Sequence, residues 1–257
     1  MKKISIDLTP EEYHVPELMR RAVAHRLGMG EEALEALHVT RRTLDCRRKN
    51  IVYHTEIAVG SPSESGAPAR PGFPGLKAGA PRVVVVGAGP AGLFAALTLL
   101  EHGIRPVIVE RGKAVEERKH DIARLTREKT VNPDSNWCFG EGGAGTYSDG
   151  KLYTRSTKRG DVGAVLRTFV AHGADPDIML DAHAHIGTDR LSGIIARMRQ
   201  SILDAGGEYH FDTRMEDLTV EEGRVRGIID QHGNRIEGHA VILATGHSAR
   251  DVYFLFH

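Results

Sequence analysis

Four consecutive valines, Val83–Val86, lead directly into a glycine-rich turn, and this junction constrains the fold more than any other feature of the chain. The glycines of the turn are Gly87, Gly89 and Gly92. An apolar stretch with helical spacing follows, then a second apolar strand, Pro106–Val109, and an acid, Glu110. The order strand, glycine turn, helix, strand and acid is typical of the unit that holds the ADP half of a dinucleotide such as FAD or NAD.

Each residue of the turn has a physical reason to be there. Gly87 allows a tight bend, Gly89 lets the backbone approach a pyrophosphate, and Gly92 lets the helix pack closely on the strands. Pro90 stands near the first helical position, where its missing N–H costs nothing, and the helix N-terminus offers free N–H groups to the phosphates. Glu110 follows Gly92 by 18 residues, close to the spacing of about 20 expected for a ribose-binding acid.

An alternative interpretation of the same run is a membrane helix. Val83–Leu100 contains 18 residues without a charge, which meets the length rule for a membrane span. However, glycines and a proline fall in the middle of the run, and consecutive valines favour a strand. The sequence therefore predicts a strand–turn–helix junction and no membrane association.

Composition excludes several classes of protein. The 257 residues include 34 basic and 34 acidic side chains, so no bulk charge directs the chain to nucleic acid or acidic lipid. The two cysteines, Cys46 and Cys138, provide neither a disulfide framework nor a zinc spacing. No apolar stretch follows the N-terminal lysines, so we expect no secretory signal and a cytoplasmic location.

The pattern of turn-forming residues predicts three segments. Residues 1–60 are predicted to form a small βαββ domain, 61–81 a Gly/Pro-rich linker, and 82–257 a dinucleotide-binding domain. In the first segment we expect a strand at Ile4–Leu8, a helix at Pro16–Leu27, and strands at Leu37–Arg47 and Ile51–Val59.

In the third segment we expect a charged helix ending near Lys129, helices at Asp161–His172 and Arg190–Ala205, and short strands at Glu208–Asp212, Arg224–Ile229 and Arg235–Glu237. Ala240–Ala244 is predicted to be a buried strand that ends in Thr245-Gly246. An apolar strand ending in Ala-Thr-Gly after a β-meander is a second landmark of FAD domains of the glutathione-reductase type. Small residues there let the backbone pass close to a cofactor.

Three segments, Phe139–Leu152, His185–Asp189 and Ala244–Asp251, resemble those of the bacterial FAD-dependent dehydrogenases often described as NAD(FAD)-utilising. The resemblance extends over the whole chain. It implies an α/β fold with a Rossmann-like FAD-binding domain of glutathione-reductase type, preceded by the small α+β domain. It also implies an FAD-dependent oxidoreductase with FAD bound in an extended form, and NAD(P)H is a candidate electron donor. The substrate, the electron acceptor and the oligomeric state stay open.

The same resemblance implies roles for individual residues. Gly87, Gly89, Pro90, Ala91 and Gly92 would hold the pyrophosphate, and Glu110 would bind the adenosine ribose with Arg111 beside it. Gly142, Gly143, Gly145 and Thr146 would lie along the pyrophosphate and ribityl chain, Asp149 and Lys151 nearer the flavin ring, and Thr245 and Gly246 over the cofactor. Lys151 could stabilise negative charge on a reduced ring; a surface lysine after a turn is the alternative.

The sequence departs from the family pattern at its end. Members are about twice as long and continue, after the Ala-Thr-Gly strand, into a substrate domain and a final Gly-Asp strand. This chain stops at Phe254–His257, so we expect the C-terminal part of the domain to be missing. A truncated, catalytically inactive FAD-binding fragment is therefore an alternative to a working enzyme.

Further candidates are a basic cluster and a possible metal site. The cluster consists of Arg41, Arg42, Arg47, Arg48 and Lys49. It is either an RNA-docking surface, which would make the protein a flavoprotein acting on RNA, or a solvated face balanced by acids. The second is favoured because stacking aromatics are scarce nearby, so nucleic-acid binding is not expected. The possible metal site consists of Asp181, His183, His185 and Asp189. In a strand the first three would lie on one side, but without a second ligand cluster no metal is predicted.

Two single residues complete the set of candidates. Cys138 is either a redox thiol near a flavin or, as is more common, a small buried residue. His247 follows Thr245-Gly246 and could contact a cofactor or a substrate. No catalytic residue is assigned from the sequence.

Overall fold

The computed structural model describes residues 2–47, 49–60, 72–152, 154 and 160–256. It divides into two compact units. Unit 1 comprises the described residues of 1–69 and 151–186, and unit 2 those of 70–150 and 187–257. Most of the predicted linker, residues 61–71, lies outside the described residues.

In chain order the helices and strands are β1 (Lys2–Leu8), α1 (Pro10–His14), α2 (Pro16–Leu27), β2 (Leu37–Asp45), β3 (Val52–Val59), β4 (Arg82–Val86), α3 (Pro90–Glu101), β5 (Arg105–Val109), α4 (Val115–Glu128), α5 (Val162–Ala171), α6 (Thr188–Asp204), β6 (Glu208–His210), β7 (Met215–Glu221), β8 (Arg224–Asp230), β9 (Arg235–Glu237), β10 (Ala240–Leu243) and α7 (Arg250–Phe254). Short 3-10 turns occupy Glu31–Ala33, Gly143–Gly145 and Pro176–Met179.

Unit 1 contains an antiparallel sheet in the order β1-β3-β2. Leu8, Val23 and Ile57 are completely buried where α2 covers one face of this sheet. The predicted βαββ order is present with one addition, the short helix α1. It begins with a capping box, because the Thr9 side chain accepts from the Glu12 amide and the Glu12 carboxylate accepts from the Thr9 amide.

Residues 151–186 group with unit 1, whereas the sequence placed them in the second domain. The connection is made by Arg42 of β2. Its backbone amide donates to the Leu180 carbonyl, its carbonyl accepts from the Ala182 amide, and its guanidinium pairs with Asp177 and Asp181. These contacts join residues that are distant in sequence, so local sequence patterns could not predict them.

Unit 2 is built on a parallel sheet in the order β10-β4-β5-β6. Val84 and Val85 pair with Val107 and Ile108 of the next strand, and all four are completely buried. Burial of both faces explains the continuous apolar run, because a parallel sheet is covered on both sides. The uncharged stretch that could have been a membrane helix is thus β4, a turn and α3.

Helix α6 shows the predicted amphipathic pattern. The predicted core positions Leu191, Ile194, Ile195, Met198 and Ile202 are all buried. The helix packs against α3 and α4. Within the part of the chain that the structure describes, no helix combines the length and apolar character that a membrane crossing needs.

Three strand predictions are corrected. β6 pairs with β5 in the parallel sheet, so the meander consists of β7, β8 and β9. The sequence missed β7, because two register shifts against β8 break its alternation of buried and exposed residues. β10 is an edge strand in which Ala240 and Leu243 are exposed, so the prediction of a buried strand was wrong.

Candidate functional site

The carboxyl ends of β4, β5 and β10 border a cleft of about 500 Å³ in unit 2. Backbone hydrogen bonds hold these strand ends together beyond the last paired residues. The Gly87 amide donates to the Val109 carbonyl and the Ala244 amide to the Val86 carbonyl, both at 2.8 Å. In open α/β sheets, ligands bind in such a crevice outside the carboxyl ends of the strands.

The structure brings ten of the predicted site residues together at this cleft. The lining includes Gly87, Gly89, Pro90, Ala91, Glu110, Arg111, Gly143, Gly145, Thr245 and Gly246. Gly92, Gly142 and Thr146 lie behind this lining, and Asp149 is exposed outside it. Lys151 belongs to unit 1, where its backbone forms an isolated β-bridge with His185. Its predicted place near a flavin ring stays a prediction.

The glycines of the motif divide into two kinds. A Cβ on Gly87 would lie 2.5 Å from the Ala244 carbonyl oxygen, and one on Gly92 would lie 1.8 Å from the Gly87 carbonyl oxygen. These two glycines are required by protein packing alone. A Cβ on Gly89 would meet its nearest neighbour, the Gly143 Cα, at an ordinary 3.7 Å, and one on Gly145 would meet nothing within 4 Å. Bare backbone at Gly89 and Gly145 therefore faces open space in the cleft.

Two helical N-termini provide amides at the cleft. The first hydrogen bond of α3 runs from the Leu93 amide to the Gly89 carbonyl, so the Ala91 and Gly92 amides precede the helical ladder. Such amides carry the partial positive charge of a helix N-terminus, which favours an anion. The 3-10 turn Gly143–Gly145 lies opposite, with the Gly143 Cα next to Gly89. This bare, amide-rich cradle has the shape and charge that a dinucleotide diphosphate requires.

Glu110 is almost completely buried, and both of its carboxylate oxygens are engaged. Oε2 accepts from the Ala88 amide at 2.8 Å, and Oε1 accepts from the Gly112 and Gly140 amides at 2.9 Å. The acid predicted to bind a ribose therefore also joins the β4–α3 turn to two other loops. The sequence indicated its position but not this second role.

Arg111 is held between two acids beside the cleft. Its guanidinium pairs with Asp134 at 3.0 Å and with Asp251 at 2.9 Å. It also lies over the ring of Phe139, 4.3 Å from the ring centroid. Arg111 thus forms part of the cleft wall with its guanidinium engaged by two carboxylates and one aromatic ring.

Sequence reasoning missed Arg118, which is completely buried. Its guanidinium donates to backbone carbonyls and to one hydroxyl of a single loop. The acceptors are the carbonyls of Asn136, Trp137, Gly140, Glu141 and Gly143 and Oγ1 of Thr146. Burial lowers the pKa of Arg118 below its usual value. No signal in the sequence separates it from the other cations of the charged helix α4.

Glu141 was also missed, although it lies inside the glycine-rich motif. Its side chain is completely buried, and Oε2 accepts from the Val115 amide at 2.9 Å and pairs with Arg199 at 2.6 Å. Burial raises the pKa of Glu141 to about 7, and the hydrogen bond from the Val115 amide and the charge of Arg199 oppose this rise without cancelling it. The residue connects the loop to α4 and α6.

The remaining candidates have mixed outcomes. Cys138 is exposed and lines the cleft, so the favoured interpretation as a small buried residue was wrong. His247 lines the cleft as well. In the basic cluster, Arg42 pairs with Asp177 and Asp181 and Arg47 with Asp45, as expected for a balanced face. Arg48 lies outside the described residues.

The strand predicted to carry the metal-site candidates is absent from residues 181–186 as the structure describes them. Asp181 and His185 form two separate isolated bridges, and turn residues lie between them. The Asp181 carboxylate is occupied by Arg42 at 2.6 Å. Strand alternation therefore does not bring these side chains to one side.

Comparison with known protein families gives two matches. Residues 1–60 match a domain of unknown function (DUF8436), and residues 81–132 match the FAD binding domain family. An uncharacterized protein of Clostridium beijerinckii is 34% identical over 252 residues, which cover 92% of this chain and 47% of that protein. The 4,4'-diapophytoene desaturase (4,4'-diapolycopene-forming) of a Methylomonas species is 40% identical over 53 residues, or 21% of this chain and 10% of that one. The chain thus spans about half the length of the Clostridium relative.

Solved structures with partial similarity include two proteins of known source. Thermovibrio ammonificans THI4 is 19% identical with a TM-score of 0.41, over 67% of this chain and 60% of that one. The ferredoxin reductase for the CYP199A2 system of Rhodopseudomonas palustris is 16% identical with a TM-score of 0.32, over 68% and 27%. The predicted Rossmann-like α/β class is confirmed. So is the resemblance to FAD-dependent families, because residues 81–132, which contain β4, α3, β5 and α4, match the FAD binding domain family.

Proposed function

We propose that the protein is an FAD-dependent oxidoreductase that holds FAD in an extended form in the cleft of unit 2. The observation that carries this proposal is the open backbone at Gly89. Its neighbours Gly87 and Gly92 are needed for packing, but a side chain at Gly89 would meet no close protein atom. A residue that the fold does not require to be bare, placed at a helix N-terminus in a cleft, is well explained by a bound diphosphate.

The residues around the cleft divide the proposed binding among them. The amide of Ala91, which lines the cleft, would donate to the diphosphate, since it precedes the first hydrogen bond within α3. Glu110 would orient the adenosine ribose while it keeps the surrounding loops together. Thr245 and Gly246 would cover the cofactor from the end of β10.

The flavin supplies hydride and electron transfer when it is bound. The chain's own residues would bind it, orient it and shield it from water. NAD(P)H is the proposed electron donor, and Lys151 is the proposed partner for negative charge on the reduced ring. These finer assignments rest on the resemblance to the dehydrogenase family and need their own measurements.

The test compares two matched glycine substitutions. We expect Gly89→Ala to fold like the wild type and to lose FAD, because the new methyl group would occupy the space of the diphosphate. Gly72→Ala, whose added Cβ would meet no atom within 4 Å and which lies away from the cleft, should retain FAD. Binding is measured by flavin absorbance after gel filtration with FAD, and folding by circular dichroism.

Two outcomes would decide against parts of this proposal. Retention of FAD by Gly89→Ala at the wild-type level would remove the diphosphate from this site. A wild-type chain that binds FAD but whose flavin is not bleached by anaerobic NADH or NADPH would be a binding module, without the proposed oxidoreductase activity with these donors.

A further inference from the structure

The loop of residues 136–146 forms one wall of the cleft and is organised from behind by a single buried cation. Cys138, Phe139, Gly140 and Gly143–Gly145 all line the cleft. On the other side of the same loop, the guanidinium of Arg118 donates to five carbonyls, among them that of Gly143 at 2.8 Å. The loop therefore has a cleft side and an arginine side.

The peptide between Gly143 and Ala144 connects these two sides. In a trans peptide the C=O and N–H groups point in opposite directions, and the structure contains no cis peptide bond among its described residues. Because the Gly143 carbonyl points at the completely buried Arg118, the Ala144 N–H points the other way. Ala144 lines the cleft, so this N–H faces the space next to Gly89.

Arg118 also places a positive charge at the back of the loop. Within the described ranges, no carboxylate lies within ion-pair distance of its guanidinium, and its partners are neutral oxygens. A buried charge with only neutral partners is costly unless it is well hydrogen-bonded. Six acceptors satisfy it here, and the carboxylates of Glu110 and Glu141 act on its charge from beyond ion-pair distance.

We propose that Arg118 is a positioning residue for the diphosphate of the bound nucleotide. It turns the Gly143–Ala144 peptide so that the Ala144 N–H donates to a phosphate oxygen opposite the N-terminus of α3. The proposal rests on the proposed function, because it deepens the recognition at the same cleft. It implies that the cleft binds a nucleoside diphosphate more tightly than the nucleoside alone.

The test uses Arg118→Lys, which keeps the positive charge but cannot reach all five carbonyls from one ammonium group. The matched control is Arg124→Lys on the same helix, where the side chain is mainly exposed and pairs only with Glu128 in the described part of the chain. Affinities for FAD, ADP and adenosine are measured by fluorescence of Trp137, the single tryptophan of the sequence, whose carbonyl accepts from Arg118.

We expect Arg118→Lys to lower the affinities for FAD and ADP by about tenfold or more, which corresponds to about 1.4 kcal/mol. The affinity for adenosine should stay unchanged. Arg124→Lys should change none of the three affinities. Equal loss of ADP and adenosine would show a merely structural role, and unchanged ADP affinity would remove the role altogether; either result overturns this inference alone. A wild-type chain that binds neither FAD nor ADP would overturn the proposed function as well.

A second measurement does not depend on the folding of a variant. In the ¹⁵N-labelled wild type, ADP and inorganic pyrophosphate should shift the amide resonance of Ala144, and adenosine should not. If ADP binds and the Ala144 amide does not move, the proposed contact is wrong.

Discussion

Glu110 combines a predicted ligand role with an observed structural one. Its two oxygens accept from the amides of Ala88, Gly112 and Gly140, which belong to three separate loops. The sequence identified the acid at the end of β5, because its spacing from the glycine turn is regular. It could not identify the amides, since Ala88 and Gly140 come from parts of the chain that only the fold brings together.

We predict that Glu110→Gln destabilises the protein even without a cofactor. The amide nitrogen of glutamine cannot accept from a backbone N–H, so at least one buried donor loses its partner. Such a loss costs about 1–3 kcal/mol. The free energy of unfolding of the apoprotein, measured with urea, should fall by that amount.

The control for this prediction is Glu101→Gln at the exposed end of α3, which should change the stability by less than about 0.5 kcal/mol. If Glu110→Gln leaves the apoprotein as stable as the wild type, the three hydrogen bonds are not structural and Glu110 serves the ligand alone.

At the scale of elements, Glu141 joins three parts of unit 2. It accepts from the amide at the start of α4, pairs with Arg199 of α6, and belongs to the loop that Arg118 holds. Burial raises its pKa from the ordinary value to about 7. The folded protein therefore holds a proton on Glu141 in a pH range where the unfolded chain has already released it.

This raised pKa predicts a pH dependence of stability. As pH rises from about 4.5 to about 7, the unfolded chain loses this proton first, so the contribution of Glu141 to folding decreases. Over the whole window the effect is on the order of 3 kcal/mol. Glutamine does not titrate, so Glu141→Gln lacks this contribution. The free energy of unfolding of the wild type should therefore fall relative to that of the variant as pH rises.

Urea denaturation at pH 4.5 and pH 7.5 measures this difference. Glu116→Gln is the matched control, because Glu116 is the half-exposed second partner of Arg199 and its pKa is lowered, not raised. A difference between wild type and Glu141→Gln that stays constant over this pH range would contradict the raised pKa.

Element prediction succeeded where periodicity was regular. Helix α2 and strand β9 have their predicted bounds, and α6 buries its five predicted residues. It failed where hydrogen bonding distorts the pattern, as in β7 with its register shifts, or where a cap starts a very short helix, as at Thr9. Burial of β10 was overestimated because strand order in a sheet is a long-range property that a local run cannot reveal.

For the whole molecule, the division into two units has a clear basis in the cores. Leu8, Val23 and Ile57 form one cluster in unit 1, and Val84, Val107 and Ile228 belong to another in unit 2. The sequence predicted a first segment ending at residue 60 and assigned residues 151–186 to the third segment, whereas their contacts group them with unit 1, partly through Arg42 and Asp181, which are 139 positions apart.

Ligand binding should be measurable as stability of the unit that holds the cleft. FAD at 100 times its dissociation constant should raise the free energy of unfolding by about 2.7 kcal/mol if it binds only the folded state. Trp137 lies in the cleft-forming loop of unit 2, so its fluorescence during urea denaturation reports this transition. FMN, which lacks the adenosine half, should give a smaller increase at the same concentration. FAD that binds without raising the denaturation midpoint would contradict this linkage.

The glycines that packing requires and the glycines that face the cleft should differ in how freely they are substituted during evolution. A descendant that gave up its coenzyme but kept its architecture would be obliged to retain Gly87 and Gly92, where any side chain would strike a carbonyl. It would be free to accumulate alanine or serine at Gly89 and Gly145. Substitution confined to those two positions would therefore mark a lineage that no longer binds a nucleotide in this cleft.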